Sequence, residues 1–330
     1  MDAPVTTPGA LVAPVAVSAG GLSSDIRAAR IIWMRELIRF RQDPVRIASA
    51  LVQPVLFLFV LAKGLGSLTR GSTEGVRLET FMFPGVLATS TLFTAMFSAI
   101  SIVWDREFGF LREMLVAPVR RAAIMWGKAF GGATVATLQG VLVLALGPLV
   151  GVPLHPLLVI AVIAEVFLVS FALTSLGLVI AARIQQMQAI MGIMQMLLLP
   201  LSFLSGALYP TGDLPTWLGT IVRLNPITYA VHAVRDTIFH FIDVPDATLA
   251  RLNPPLTWGG WEVPIWAQLA VVAVVGAMAA LLAFLLVELG QKKGKTNHVM
   301  MPYSNALYLL ADWYRQLWAA RFDELDILVE

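Results

Sequence analysis

Six long apolar runs punctuate the chain, at about 46–64, 80–104, 129–150, 157–182, 187–208 and 265–288. Each approaches the ~20 residues that a helix needs to cross the hydrocarbon of a bilayer. The first contains the unbroken stretch Leu56-Phe57-Leu58-Phe59-Val60-Leu61. The third and fourth are separated only by Gly151 to Pro156, which predicts a tight helical hairpin. Ahead of the first run the period changes. Across 24–42, Ile26, Ala29, Trp33, Leu37 and Phe40 recur at helical spacing, while Arg27, Arg35 and Arg39 fall on the other side. Ser24 stands where a cap is expected. This pattern predicts a basic amphipathic helix lying in a membrane surface, its arginines at lipid phosphates.

Two further segments are patterned without being long enough to span. In 104–128, Phe108, Leu111 and Leu115 share a helical face, and Pro118 ends the helix. In 209–264, two short semi-apolar pieces, 214–224 and 227–241, are divided by Asn225-Pro226. Pieces of that length predict helices that re-enter the membrane from the side they left. Tyr209, Trp217, Tyr229, Trp258, Trp261 and Trp266 flank them as an interfacial aromatic belt.

Composition agrees with a membrane solvent. The 330 residues are 58% hydrophobic and only 13% charged, against about 25% charged in soluble domains. With the N-terminus inside, seventeen of the 23 Lys and Arg residues lie on the cytoplasmic side, as the positive-inside rule requires. The N- and C-termini are then cytoplasmic. A formal net charge of +2 makes no case for nucleic acid. Residues 1–23 begin with Asp at position 2 and carry Pro4, Pro8 and Pro14, so they read as a disordered tail, not a secretory signal.

Candidate chemistry is sparse. Cysteine is absent, which excludes thiolate chemistry and disulfides. The nearest approach to a phosphate-binding loop is Gly294-Lys295-Thr296, but position 289 is Leu and a membrane run precedes it. Energy from nucleotide must therefore come from another chain. His232, Asp236 and His240 share one helical face and could ligate a metal, but Arg235 lies beside them, and no metal site is assigned. No catalytic triad is visible and no catalytic residue is assigned. Glu165, inside the fourth run, and Gln139 and Gln195, in the third and fifth, are polar groups in hydrocarbon, so each either bonds another helix or lines a substrate path. Met191, Met194 and Met196 read as packing.

Three stretches carry a likeness. MFPGVLATSTLFTAMFSAISIVWDREFGFLREMLVAPVRRAAIMWGK resembles the second span and cytoplasmic coupling segment of ABC-2-type exporter permeases, the membrane subunits of ATP-binding-cassette transporters. LPLSFLSGALYPTGDLPTWLGTIVRLNPITYAVHAVRD resembles their fifth span and re-entrant region, and the basic helix 24–42 resembles their connecting helix. The resemblance implies an all-α integral membrane fold: six transmembrane helices, an interfacial helix, a coupling helix and a re-entrant hairpin before the last span. It divides the chain into a tail at 1–23, a permease domain at 24–290 and a cytoplasmic tail at 291–330.

It also implies partners: a second permease subunit in a homodimer, two copies of an ABC ATPase that hold ATP and magnesium, and the lipids of the cytoplasmic (inner) membrane. This chain itself carries no cofactor. Glu107, Gly109, Arg112, Glu113 and Pro118 match the coupling segment, and Arg27, Trp33, Arg35 and Arg39 stand on the helix that makes the second ATPase contact. Gln139, Glu165 and Gln195 are the candidate substrate path. The implied cargo is a hydrophobic or amphiphilic molecule, an antibiotic or a lipid-like compound, with drug resistance as one consequence. A polysaccharide or glycolipid exporter is the variant within the class. Outside it stand a secondary transporter using Glu165 and a lipid-modifying enzyme using His232, Asp236 and His240. The tail departs from the family: MPYSNALYLLADWYRQLW resembles the C-terminal end of bacterial glucose-6-phosphate isomerases, and a single helix implies no activity.

Overall fold

The computed structural model describes residues 21–69, 76–107, 120–184, 186–211, 214–242, 245–258 and 260–292. Helix α1 (Leu22–Gln42) runs into α2 (Pro44–Val55) across Asp43, whose carboxylate accepts from the Arg46 amide and so caps the new helix. Pro54 lies inside α2 and withholds an amide from the ladder. Beyond it the chain widens into a π-helical stretch, Leu56–Leu61, before resuming as α3 (Ala62–Thr69). Then come α4 (Leu78–Ala99), α5 (Ser101–Glu107), α6 (Arg121–Leu144), α7 (Pro156–Arg183) and α8 (Met187–Phe203). A pair of short helices follows, α9 (Thr216–Leu224) and α10 (Pro226–His240), then α11 (Asp246–Leu252) and the long α12 (Ile265–Lys292). One two-stranded antiparallel ribbon, β1 (Thr257–Trp258) and β2 (Trp261–Glu262), precedes α12; nothing in the periodicity predicts it.

Among the described residues five stretches are long and apolar enough to cross a membrane: Pro44–Gly66, Leu78–Glu107, Arg121–Leu144, Pro156–Arg183 and Ile265–Val287. They coincide with five of the six expected spans. The remaining one, α8, is a shorter apolar helix of 17 residues, about 26 Å at the rise of an α-helix. The chain is thus an all-helical, multi-pass membrane protein. Helix α4 is its centre, packed by α6, α7, α8 and α10, while α12 packs along α7. The first and last spans are only 17% and 22% buried within the chain.

Three expectations are corrected. The third span begins at Arg121, not near 129, because Lys128 lies in the helix with its charge buried in ion pairs. The first helix starts at Leu22 with Gly21 at the cap position, and Ser24 donates its own amide to the Gly21 carbonyl. Its buried side is Ile32, Glu36 and Phe40, whereas Ile26 is 67% exposed. The helix packs on protein, along α6, and this rotates its inward face from the one read off the apolar residues alone.

Close approaches use glycine. At Gly85 of α4, an added β-carbon would overlap the backbone of Ala207, 2.6 Å from its carbonyl carbon. Gly192 on α8 has nothing within 4 Å. Gly85→Ala should therefore lower stability by about 1–3 kcal/mol through overpacking. Gly192→Ala should be neutral or raise it by about 0.5–1 kcal/mol through helix propensity. Thermal midpoints of the two detergent-solubilised variants check the contrast.

Candidate functional site

At the α1 end of the bundle, five charged side chains from three elements meet. Glu36, on α1, lies between Ile32 and Phe40 on the buried face. Its Oε1 accepts from Lys128 Nζ of α6 at 2.7 Å. Lys128 also pairs with Asp105 of α5 and donates to Ser101 Oγ at 2.9 Å. Arg35 donates to the same Asp105 carboxylate, and Arg39 Nη2 lies 3.6 Å from its other oxygen. Asp105 and Lys128 are 1% and 2% exposed. Desolvating such charges is costly, so each stays ionised only while its partners remain in place.

Two glycines bring α1 this close. A β-carbon at Gly127 of α6 would sit 2.8 Å from the Ala29 carbonyl oxygen, and one at Gly131 would sit 2.8 Å from Glu36 Cγ. Trp33 Nε1 reaches across to Thr134 Oγ1 at 3.0 Å. Farther up α1, Asp25 accepts from the Arg120 amide at 3.1 Å and pairs with its guanidinium at 3.4 Å. Arg106 Nη1 donates to the Ile184 carbonyl at the end of α7, 2.9 Å away. The segment 108–119 therefore leaves from residues tied to α1, α6 and α7, and the chain after it, at Arg120, is tied to the start of α1.

Of the expected coupling residues, Glu107 is exposed at the end of α5. Gly109, Arg112, Glu113 and Pro118 lie outside the described residues, as does the helix expected over that segment. On α1, Arg27 is exposed, while Trp33, Arg35 and Arg39 turn toward the bundle. Arg35 and Arg39 thus serve an ion-pair network where lipid phosphate was expected.

The expected substrate path divides. Gln139 is fully buried, and neither amide atom has a hydrogen-bond partner among the described residues. Glu165 is buried; its Oε1 accepts from Thr237 of α10 at 2.5 Å while Oε2 has no partner. They sit on facing helices, since the next residues, Gly140 and Val166, meet. Gln195 is exposed on α8 and joins neither. His232 is occupied on both ring nitrogens, by Gln268 Oε1 at 3.1 Å and the Pro254 carbonyl at 3.0 Å, and His240 is exposed. Among the described residues no three acidic or histidine side chains are placed to hold a metal.

Two residues passed over in the sequence prove structural anchors. Arg235, noted there only as a neighbour of His232 and Asp236, is 2% exposed. It donates to the carbonyls of Gly206 and Ala207 at 2.9 and 3.2 Å and stacks 4.5 Å over the Phe81 ring. It ties α10 to the chain leaving α8 and to α4, and Asn225 and Thr228 reinforce that tie through the carbonyls of Leu201 and Leu204. Lys128 is the other. Its signal was present: opposite charges, Asp105 and Lys128, flank apolar runs, and Glu36 interrupts an apolar stripe, a pattern that calls for a buried partner.

A multi-pass helical bundle with a basic helix clamped to one end is a membrane transport architecture in outline, and comparison with known proteins makes the class specific. The family model described as ABC-2 type transporter matches residues 27–239, from α1 through α10. The ycf38 protein of Cyanophora paradoxa, named as a transport permease, is 29% identical over 217 residues, covering 64% of this chain and 73% of that protein. Nodulation protein J of Rhizobium leguminosarum bv. trifolii is 30% identical over 209 residues, 62% of this chain and 78% of its own. The chain belongs to the ABC-2 type transporter family of membrane permeases.

Removing Lys128 alone leaves two buried carboxylates against fewer cations. Lys128→Met should cost about 3–5 kcal/mol. Adding Asp105→Asn should recover part of it, with a coupling of about 0.5–3 kcal/mol in the double-mutant cycle. Unfolding midpoints of the two single variants and the double variant test this; strict additivity would contradict a direct pair.

Proposed function

We propose that this chain is the membrane subunit of an ATP-driven exporter, powered by a separate ATPase that docks at the α1 end. The observation that carries the reading is the welded junction there. Both flanks of segment 108–119 are fastened to α1 and to the inner ends of α5, α6 and α7. A push delivered at those flanks or to α1 reaches three spanning helices through buried ion pairs and hydrogen bonds. Catalysis of ATP hydrolysis belongs to the partner, where ATP and magnesium are held; the bundle converts the partner's closure into a rearrangement of its spans. Two copies of this chain with two ATPases form the assembly. The sparsely buried first and last spans, with their unpartnered apolar faces, suit contacts with lipid or a second copy.

The junction then faces the cytoplasm, as the excess of basic residues on that side requires, and α9 and α10 re-enter from the opposite face of the cytoplasmic membrane. The apolar spans, with only Gln139 and Glu165 as buried unpaired polar groups among the candidates, suit a hydrophobic or amphiphilic cargo. Movement is outward, from the cytoplasm or the inner leaflet.

The test is co-purification with an ABC ATPase of the same organism, followed by transport in sealed vesicles. The native pair should associate and move cargo only with ATP. Glu113→Arg should reduce association or uncouple hydrolysis from transport by at least about tenfold, since it reverses the charge where docking is expected. Transport by the permease alone would refute the reading, and unchanged association and coupling in Glu113→Arg would remove the docking role from that segment.

A further inference from the structure

Beside the ion network lies a cavity of about 570 Å³ between α1, the start of α2, α4, α5 and α8. Its wall is apolar and aromatic: Phe40, Phe97, Trp104 and Met191. Its rim carries two guanidinium groups, Arg39 and Arg46. Arg46 is half-buried and has no ion-pair partner among the described residues; Asp43, in the same lining, accepts from the Arg46 backbone amide. Arg39 reaches only Asp105 Oδ1, at 3.6 Å, beyond hydrogen-bond distance. Of the three acids in the lining, Glu36 is paired by Lys128, Asp105 by Lys128 and Arg35, and Asp43 stands beside Arg46. Four cations, Arg35, Arg39, Arg46 and Lys128, thus face three carboxylates, and the charge left over is cationic.

We propose that this cavity binds an anionic amphiphile. Its acidic group sits on Arg39 and Arg46, and its chain lies along Phe40, Phe97, Trp104 and Met191. A guanidinium prefers such oxyanions because its paired N–H groups match two oxygens at once. An uncharged or cationic amphiphile satisfies the apolar wall and leaves the rim unpaired. Its lining includes Asp43 and Arg46, where α1 joins the first span, which suits a ligand drawn from a membrane surface. The site stands on this geometry alone; its assignment to transported cargo rests on the exporter reading above.

The probes are lysophosphatidylglycerol and lysophosphatidylcholine with the same brominated chain, titrated onto the full chain in phosphatidylcholine nanodiscs. Quenching of Trp104 is read as the difference between the native protein and Trp104→Phe. The glycerol lipid should saturate at a concentration about tenfold below the choline lipid, the margin expected for a charge-assisted contact. Arg39→Gln with Arg46→Gln should erase that preference. Arg46→Glu, at a half-buried side chain without an ion-pair partner among the described residues, should reverse it. Equal half-saturation for the two lipids, or a preference unchanged in Arg46→Glu, overturns the proposal. With the ATPase present, a fall in quenching on adding ATP marks the ligand as cargo, while quenching indifferent to ATP marks it as a resident lipid in the same site. Failed ATPase association with intact quenching would sink the exporter reading and leave the site.

Discussion

Burying an ion pair is affordable only when every charge in it keeps its partner. That constraint governs the α1 end of the molecule. Lys128 cannot leave Asp105 and Glu36 without stranding charge in a region only a few per cent exposed. The helix carrying Glu36, the short helix carrying Asp105 and the span carrying Lys128 therefore behave as one body. The glycines at 127 and 131 admit the close packing, the charges make it obligatory, and Trp33 and Asp25 extend it along the length of α1.

The opposite end is held by a different chemistry. There α10 is fixed by neutral acceptors: the carbonyls at and beyond the end of α8 receive Arg235, Asn225 and Thr228, and Pro254 receives His232. Arg235 has no carboxylate partner among the described residues and is instead held by carbonyl dipoles and the Phe81 face. Many weak polar links distribute the load, whereas the α1 end concentrates it in a few strong ones.

Much of the architecture was legible because bilayer thickness imposes a length on apolar runs. The boundaries of α2–α3, α4, α7 and α12 follow the hydropathy within a few residues, and Asn225-Pro226 correctly divides α9 from α10. The misreadings share one cause. Arg121 and Lys128 looked like loop residues, and Arg35 and Arg39 looked like lipid contacts, because a charge in sequence carries no record of its partner. Asp105 and Lys128 lie 69 and 92 positions after Glu36, and only packing brings them together. Gln195 stands apart from Gln139 and Glu165 because a polar residue within an apolar helix can face outward, as it does on α8.

The notch formed by Gly127 and Gly131 limits what α1 can do. A helix seated over two glycines one turn apart cannot slide along its neighbour, because the next register drives side chains into the ridge on either side. It cannot roll either, since Trp33 and Glu36 are both held from the same flank. Helices α1 and α6 therefore form a single lever, and the first span, joined at Asp43, is its far arm.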